Sequence, residues 1–154
     1  MTGTRLPAFI IVLTVVSCGC GKSPASPTPQ PTLTFTFTPS PAPTSGIQVG
    51  CAGSLVPAKT WNYTLRVNNT STTAFAVSSL TYTLTVPGGA PFTSPTLDAG
   101  TVALAFGTST IPANGSIQGS LCTTLGGASG TVSYTFSGSD GRGPFTTPSL
   151  ELLP

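Results

Sequence analysis

Apolar and polar residues alternate with a period of two along much of the chain. Trp61, Tyr63, Leu65 and Val67 fall on one side of such a run, with Asn62, Thr64, Arg66 and Asn68 on the other. Leu80, Tyr82, Leu84 and Val86 oppose Thr81, Thr83 and Thr85; Val132, Tyr134 and Phe136 oppose Ser133, Thr135 and Ser137. A period of two in β-branched and aromatic residues marks a strand with one buried face. The pattern predicts strands over 47–52, 60–69, 75–86, 98–107, 115–123, 130–138 and 144–153. No stretch presents a 3.6-residue period rich in helix formers, so no helix is expected.

Turn chemistry separates these runs. Asn68-Asn69-Thr70, Pro87-Gly88-Gly89, Pro112-Ala113-Asn114-Gly115, Gly126-Gly127 and Asp140-Gly141 punctuate the chain. Phe136 to Phe145 reads as a hairpin with a longer loop. The prolines of this part fall in or beside turns, as a sheet ladder requires. Seven short strands in little over a hundred residues predict an all-β, two-sheet antiparallel sandwich over residues 47–154. A closed barrel is the alternative. Trp61, Tyr63, Tyr82, Tyr134 and Phe136 are expected in the core. Phe75, Phe92, Phe106 and Phe145 lie near predicted strand ends or loops, where exposed rings could meet a sugar or a protein.

The pattern and length of this part resemble the immunoglobulin-like sandwiches of bacterial surface lipoproteins. Cys51, Trp61 and Cys122 follow the Cys–Trp–Cys order of antibody domains, with Ser120 standing where a tyrosine is usual. Leu65-Arg66-Val67-Asn68-Asn69, Leu80-Thr81-Tyr82-Thr83-Leu84 and Ile111 to Ser116 also resemble the strand, strand and turn pattern of the desiccation-associated WHy domain. That second resemblance implies a stress-protective role.

The N-terminal residues have a different character. Arg5 precedes an 11-residue, largely apolar run from Leu6 to Val16, the layout of a secretory signal. A membrane-spanning helix needs about 20 apolar residues. The run ends in Val15-Val16-Ser17-Cys18, which resembles the bacterial lipoprotein lipobox. The resemblance implies cleavage after Ser17, diacylglycerol on the Cys18 thiol and an acylated new N-terminus, with residues 1–17 as the signal peptide. Several acyl chains together anchor a protein stably where one does not. Gly19 follows, where an aspartate would mark inner-membrane retention, so outer-membrane sorting is expected. Cys20 has no assigned role.

Residues 18–46 are rich in Pro, Ser and Thr, with seven prolines between positions 22 and 46. This composition predicts an extended, disordered spacer. Within it, Thr32-Leu33-Thr34-Phe35-Thr36-Phe37-Thr38 alternates like a strand. Closely flanking prolines favour the spacer reading, and an extra strand is the alternative.

Composition narrows the chemistry. Charged residues are 5% of the chain: five Lys and Arg, three Asp and Glu, and no His. Five scattered cations cannot form a nucleic-acid surface. Without His, a nucleophile would need Lys59, near Ser54, or a carboxylate as its base. Asp98, Asp140 and Glu151 are the remaining acids of the globular part, too few and too scattered for calcium. No catalytic, metal or cofactor residue is assigned. Cys51 and Cys122 are the cysteines of the globular part; export to an oxidising compartment predicts that they pair. The expected protein is a lipid-anchored envelope sandwich that binds a protein or glycan partner, or serves a structural role, without catalysis. An envelope hydrolase using Lys or carboxylates is the competing class.

Overall fold

The computed structural model describes residues 31–40, 43–45, 51–53, 59–126 and 129–153. The signal segment, Cys18, Cys20, Ser54 and the predicted strand residues 47–50 lie outside them.

Two sheets pack face to face around one core. The first sheet contains β1 (Leu33–Pro39), β2 (Thr44–Ser45), β3 (Ala52–Gly53), β4 (Lys59–Asn69) and β9 (Gly115–Leu125). Its order is β1-β4-β9-β3, with β2 beside β4. The second sheet contains β5 (Phe75–Thr85), β6 (Phe92–Thr93), β7 (Leu97–Asp98), β8 (Thr110–Ile111), β10 (Gly130–Gly138), β11 (Phe145–Thr146) and β12 (Leu150–Leu152). Its order is β11-β10-β5-β6; β12 also pairs with β10, and β7 and β8 pair with β5. Every pairing is antiparallel except β3 with β9. The expected all-β sandwich of immunoglobulin-like type is therefore what the chain forms, with five long strands and several segments of two or three residues among the described residues.

The period-two runs of β4 and β10 bury the faces they predict, whereas in the β5 run Leu80 and Leu84 are buried and Tyr82 and Val86, expected with them, are half-buried. Trp61, Tyr63, Leu65 and Val67 of β4 meet Leu80 and Leu84 of β5 and Val132, Tyr134 and Phe136 of β10 in one core. Phe136 is fully buried, with Phe35 stacked on it at 5.7 Å and Phe106 against it edge-on at 6.0 Å. The Trp61 indole Nε1 donates to the Leu153 carbonyl at 2.6 Å, tying the last strand to the first sheet.

Three expectations differ from the observed elements. The first concerns Thr32–Thr38, read as spacer. It is an edge strand: β1 pairs with β4 in unbroken register from Leu33 opposite Asn69 to Pro39 opposite Tyr63. Leu33, Phe35 and Phe37 pack on the core, while Thr34, Thr36 and Thr38 face solvent. The sandwich thus begins well before residue 47.

The second concerns 98–107, read as a strand. Ala99–Phe106 is a helix, α1. Asp98 caps its N-terminus, its Oδ1 accepting from the Thr101 amide at 2.8 Å and the Thr101 hydroxyl at 2.9 Å. Gly107, at φ 76°, ends it in the left-handed conformation that glycine adopts without strain. Val102, Leu104 and Phe106 mimic strand alternation. In the helix only Val102 and Phe106, four apart, share the buried face, and Leu104 is 89% exposed. The helix touches β5 of one sheet and β9 of the other. Gly119 admits it: a Cβ there would stand 2.6 Å from the Ala105 carbonyl oxygen.

The third concerns the C-terminal strand 144–153, which is split into β11 and β12 around Thr147-Pro148-Ser149. The Thr147 hydroxyl, buried at the break, accepts from the Tyr134 amide at 3.0 Å. Phe75 and Phe106, placed near loops by sequence, are core residues.

Candidate functional site

The residues that carry chemistry are spread over separate elements, and most are engaged in holding the fold. Cys51 and Cys122 form a disulfide with Cα atoms 4.9 Å apart. The parallel register of β3 on β9 sets Ala52 opposite Thr123 and brings the two cysteines together. The bridge joins neighbours within one sheet, unlike the cross-sheet bridge of antibody domains.

Asp98 is committed to the α1 cap, and the Thr101 hydrogen bonds hold its carboxyl below the usual range. Asp140 sits in the β10–β11 loop and accepts from the Arg142 guanidinium at 2.7 Å; that bond lowers its pKa. Arg142 also donates to the Ala74 carbonyl and lies 5.3 Å from the centre of the Phe75 ring. Glu151 is exposed on β12, opposite Thr131. Lys59 opens β4, opposite Ser45 of β2. The structure therefore places the three acids on three separate elements. Among the described residues no group of three or more Cys, Asp or Glu could hold a metal.

The buried centre contains a hydroxyl chain. The Tyr63 hydroxyl lies 2.6 Å from the Thr123 hydroxyl and 2.7 Å from the Tyr134 hydroxyl, so β4, β9 and β10 are joined through the core. Burial raises both tyrosine pKa values, and the neighbouring Tyr63 raises that of Tyr134 further. Neither phenol can serve as a base near neutral pH. A raised folded-state pKa stabilises the fold fully below the ordinary tyrosine value and progressively less above it. From neutral pH to about pH 10 these phenols should thus leave the unfolding free energy level, and beyond it that free energy should fall, by at most about 1.4 kcal/mol per tyrosine per pH unit. The Y63F/Y134F variant should lose that alkaline slope. A wild-type midpoint level through about pH 11 would show that the pair does not titrate on unfolding.

One polar face open to a partner is the outer side of the first sheet. There the polar half of the β4 alternation, Asn62, Thr64, Arg66 and Asn68, lies beside Ser116, Gln118 and Ser120 of β9 and Thr34, Thr36 and Thr38 of β1. Arg66 is exposed and fixed, its Nε donating to the Asn68 side chain at 3.1 Å and its Nη2 to the Ser116 hydroxyl at 2.9 Å. An open groove of about 320 Å³ follows Arg66, Asn68, Thr70, Asn114 and Ser116. A second of about 200 Å³ lies at the other end, along Thr38, Asn62, Thr64, Ser120 and Leu121. These amides and hydroxyls can exchange hydrogen bonds with a partner, and no nucleophile stands beside a base among them.

Asn69, which with Thr70 and Ser71 forms a formal glycosylation sequon, is buried. Its amide donates to the Thr73 carbonyl at 2.8 Å and accepts from the Ser71 amide at 3.0 Å, shaping the β4–β5 turn. Sequence reasoning placed Phe35 and Phe37 in the spacer, with the extra strand as the alternative, and the structure bears out the alternative. Their alternation with threonine was the available signal.

No protein-family model and no curated protein matches the chain. Solved structures share its fold. The X-ray structure of the Northeast Structural Genomics Consortium target SoR45 aligns over 81% of this chain and 87% of its own, with a TM-score of 0.56 and 16% identity. A Bordetella pertussis crystal structure provisionally assigned to ApaA aligns over 82% of this chain and 97% of its own, with a TM-score of 0.54 and 17% identity. At such identity the likeness is one of fold alone.

Proposed function

We propose that the chain is a lipid-anchored cell-envelope protein that presents a non-catalytic sandwich to a protein or glycan partner. The observation that carries this reading is Val15-Val16-Ser17-Cys18 at the end of the apolar run, followed by Pro-rich sequence and then the sandwich. Two features of the fold support the non-catalytic part. Asp98 and Asp140 are already engaged in a cap and an ion pair. The outer sheet face offers fixed amides and hydroxyls in open grooves. In this reading Cys18 bears the lipid, the Pro-rich residues hold the domain off the membrane, and outer-membrane sorting follows from Gly19.

Replacing Cys18 by Ala tests the anchor. Incorporation of radiolabelled fatty acid should vanish, and the protein should leave the membrane fraction. Unchanged labelling removes the anchor from the proposal. Envelope crosslinking followed by mass spectrometry then identifies what the sandwich touches.

A further inference from the structure

The first sheet has one long edge, and its ladder shows which backbone groups it leaves open. The Thr70 amide donates to the Thr32 carbonyl, and the Ser40 amide to the Asn62 carbonyl. In an antiparallel pair the bonded positions alternate. With an unbroken register between those bonds, the even-numbered residues of β1 bond to β4. Leu33, Phe35 and Phe37 therefore aim their N–H and C=O groups away from the sheet. Among the described residues no strand pairs on that side.

Sheet proteins ordinarily protect such an edge with charge, a bulge, proline or short length. The other edge segments, β3, β6, β11 and β12, are two or three residues long. By contrast β1 has seven residues, no charge and no bulge. Its prolines lie at the ends: Pro31 and Pro39 occupy odd positions, where the missing N–H would have faced outward and costs the ladder to β4 nothing. Beside the open backbone, Phe35 and Phe37 are only half buried, although they pack on Phe136, Tyr63 and Tyr134. Open main-chain groups supply the hydrogen bonds that give strand addition its affinity, and the incompletely covered rings beside them offer side-chain contacts that can give it specificity.

We propose that the added strand is β1 of a second copy of this chain, paired antiparallel across a two-fold axis at Phe35. The segment is its own complement. Pro31 and Pro39 are equidistant from Phe35. Phe35 then faces Phe35 of the second copy, Leu33 faces Phe37, and Thr34 faces Thr36. The three outward N–H groups of each copy all find carbonyls, and the apolar side chains of the two cores meet at the axis, an isologous contact. With no charge on the edge, nothing selects a foreign strand over a like one. The inference rests on the reading of the sandwich as an interaction module and supplies its partner.

Sedimentation equilibrium of the full chain in density-matched detergent tests it. The wild type should be dimeric. In T34E/T36E, carboxylates oppose each other twice across the axis, while within one chain position 36 lies opposite Arg66, so folding should be kept. Dimer dissociation should rise by about tenfold or more, with an unchanged β-sheet circular dichroism spectrum and a thermal midpoint lowered only by the lost association. T34K/T36K should also dissociate, and mixing the two variants should restore dimers. A monomeric wild type overturns the proposal, as does a dimer indifferent to T34E/T36E. A monomer that instead loses a different crosslinked envelope protein in T34E/T36E overturns the second-copy assignment and leaves the interaction reading standing. Substrate turnover by the wild type would remove that reading without touching the dimer.

Discussion

Replacing Phe136 by Ala should destabilise the domain by about 3–5 kcal/mol, the usual cost of emptying a large aromatic site. The ring is fully buried on β10 and touches both elements that lie outside the three clearest strands: Phe35 of β1 stacks on it and Phe106 of α1 meets its face. Its strand neighbours Leu80 and Phe145 lie opposite it in register. Phe35, Leu80 and Phe145 are held in their ladders, so little relaxation should offset the loss. Phe92, at 52% exposure, provides the comparison. Phe92→Ala should cost less than about 1 kcal/mol, because most of its surface is already in water. Urea unfolding at constant slope measures both. If Phe136→Ala cost no more than Phe92→Ala, the ring would not be the junction of the two sheets.

That contrast indicates what the sequence could reveal. In β4 and β10 each strand buries one whole face against the opposite sheet, so burial follows the letters: Trp61 to Val67, and Val132 to Phe136. The cysteine pair was legible because Cys51 and Cys122 are the cysteines of the predicted globular part. Elsewhere the decisive interactions were between distant residues. Proline at 31 and 39 reads locally as a strand breaker. It is harmless in β1 only because β4 takes the even-numbered amides. Val102, Leu104 and Phe106 read as a strand, until the Asp98 cap and the Gly107 terminus close a helical turn around them and Gly119 leaves room for it. The open edge was less accessible still. Being at an edge is a property of strand order, and no strand encodes its own place in that order. The outer polar face of β4, by comparison, was written in the alternation that predicted the strand.

Removing the bridge should have an effect of similar size for a different reason. Cys51 and Cys122 are separated by 71 positions, and the loop they close contains β4, β5, α1 and most of β9. Confining a chain of that length in the unfolded state is worth about 4 kcal/mol in the loop-entropy model. In the folded state the bridge holds β3, whose only strand partner among the described residues is β9. The C51A/C122A variant avoids stray thiols and should melt roughly 15 °C lower than the oxidised wild type. Wild type treated with reductant should melt close to that variant, because both lose the same restraint on the unfolded chain. The single replacements C51A and C122A should each match the double variant, since either one opens the loop. A shift equivalent to less than about 1 kcal/mol would mean that the unfolded chain is already confined without the bridge, and that the fold does not depend on the oxidising compartment in which the bridge would form.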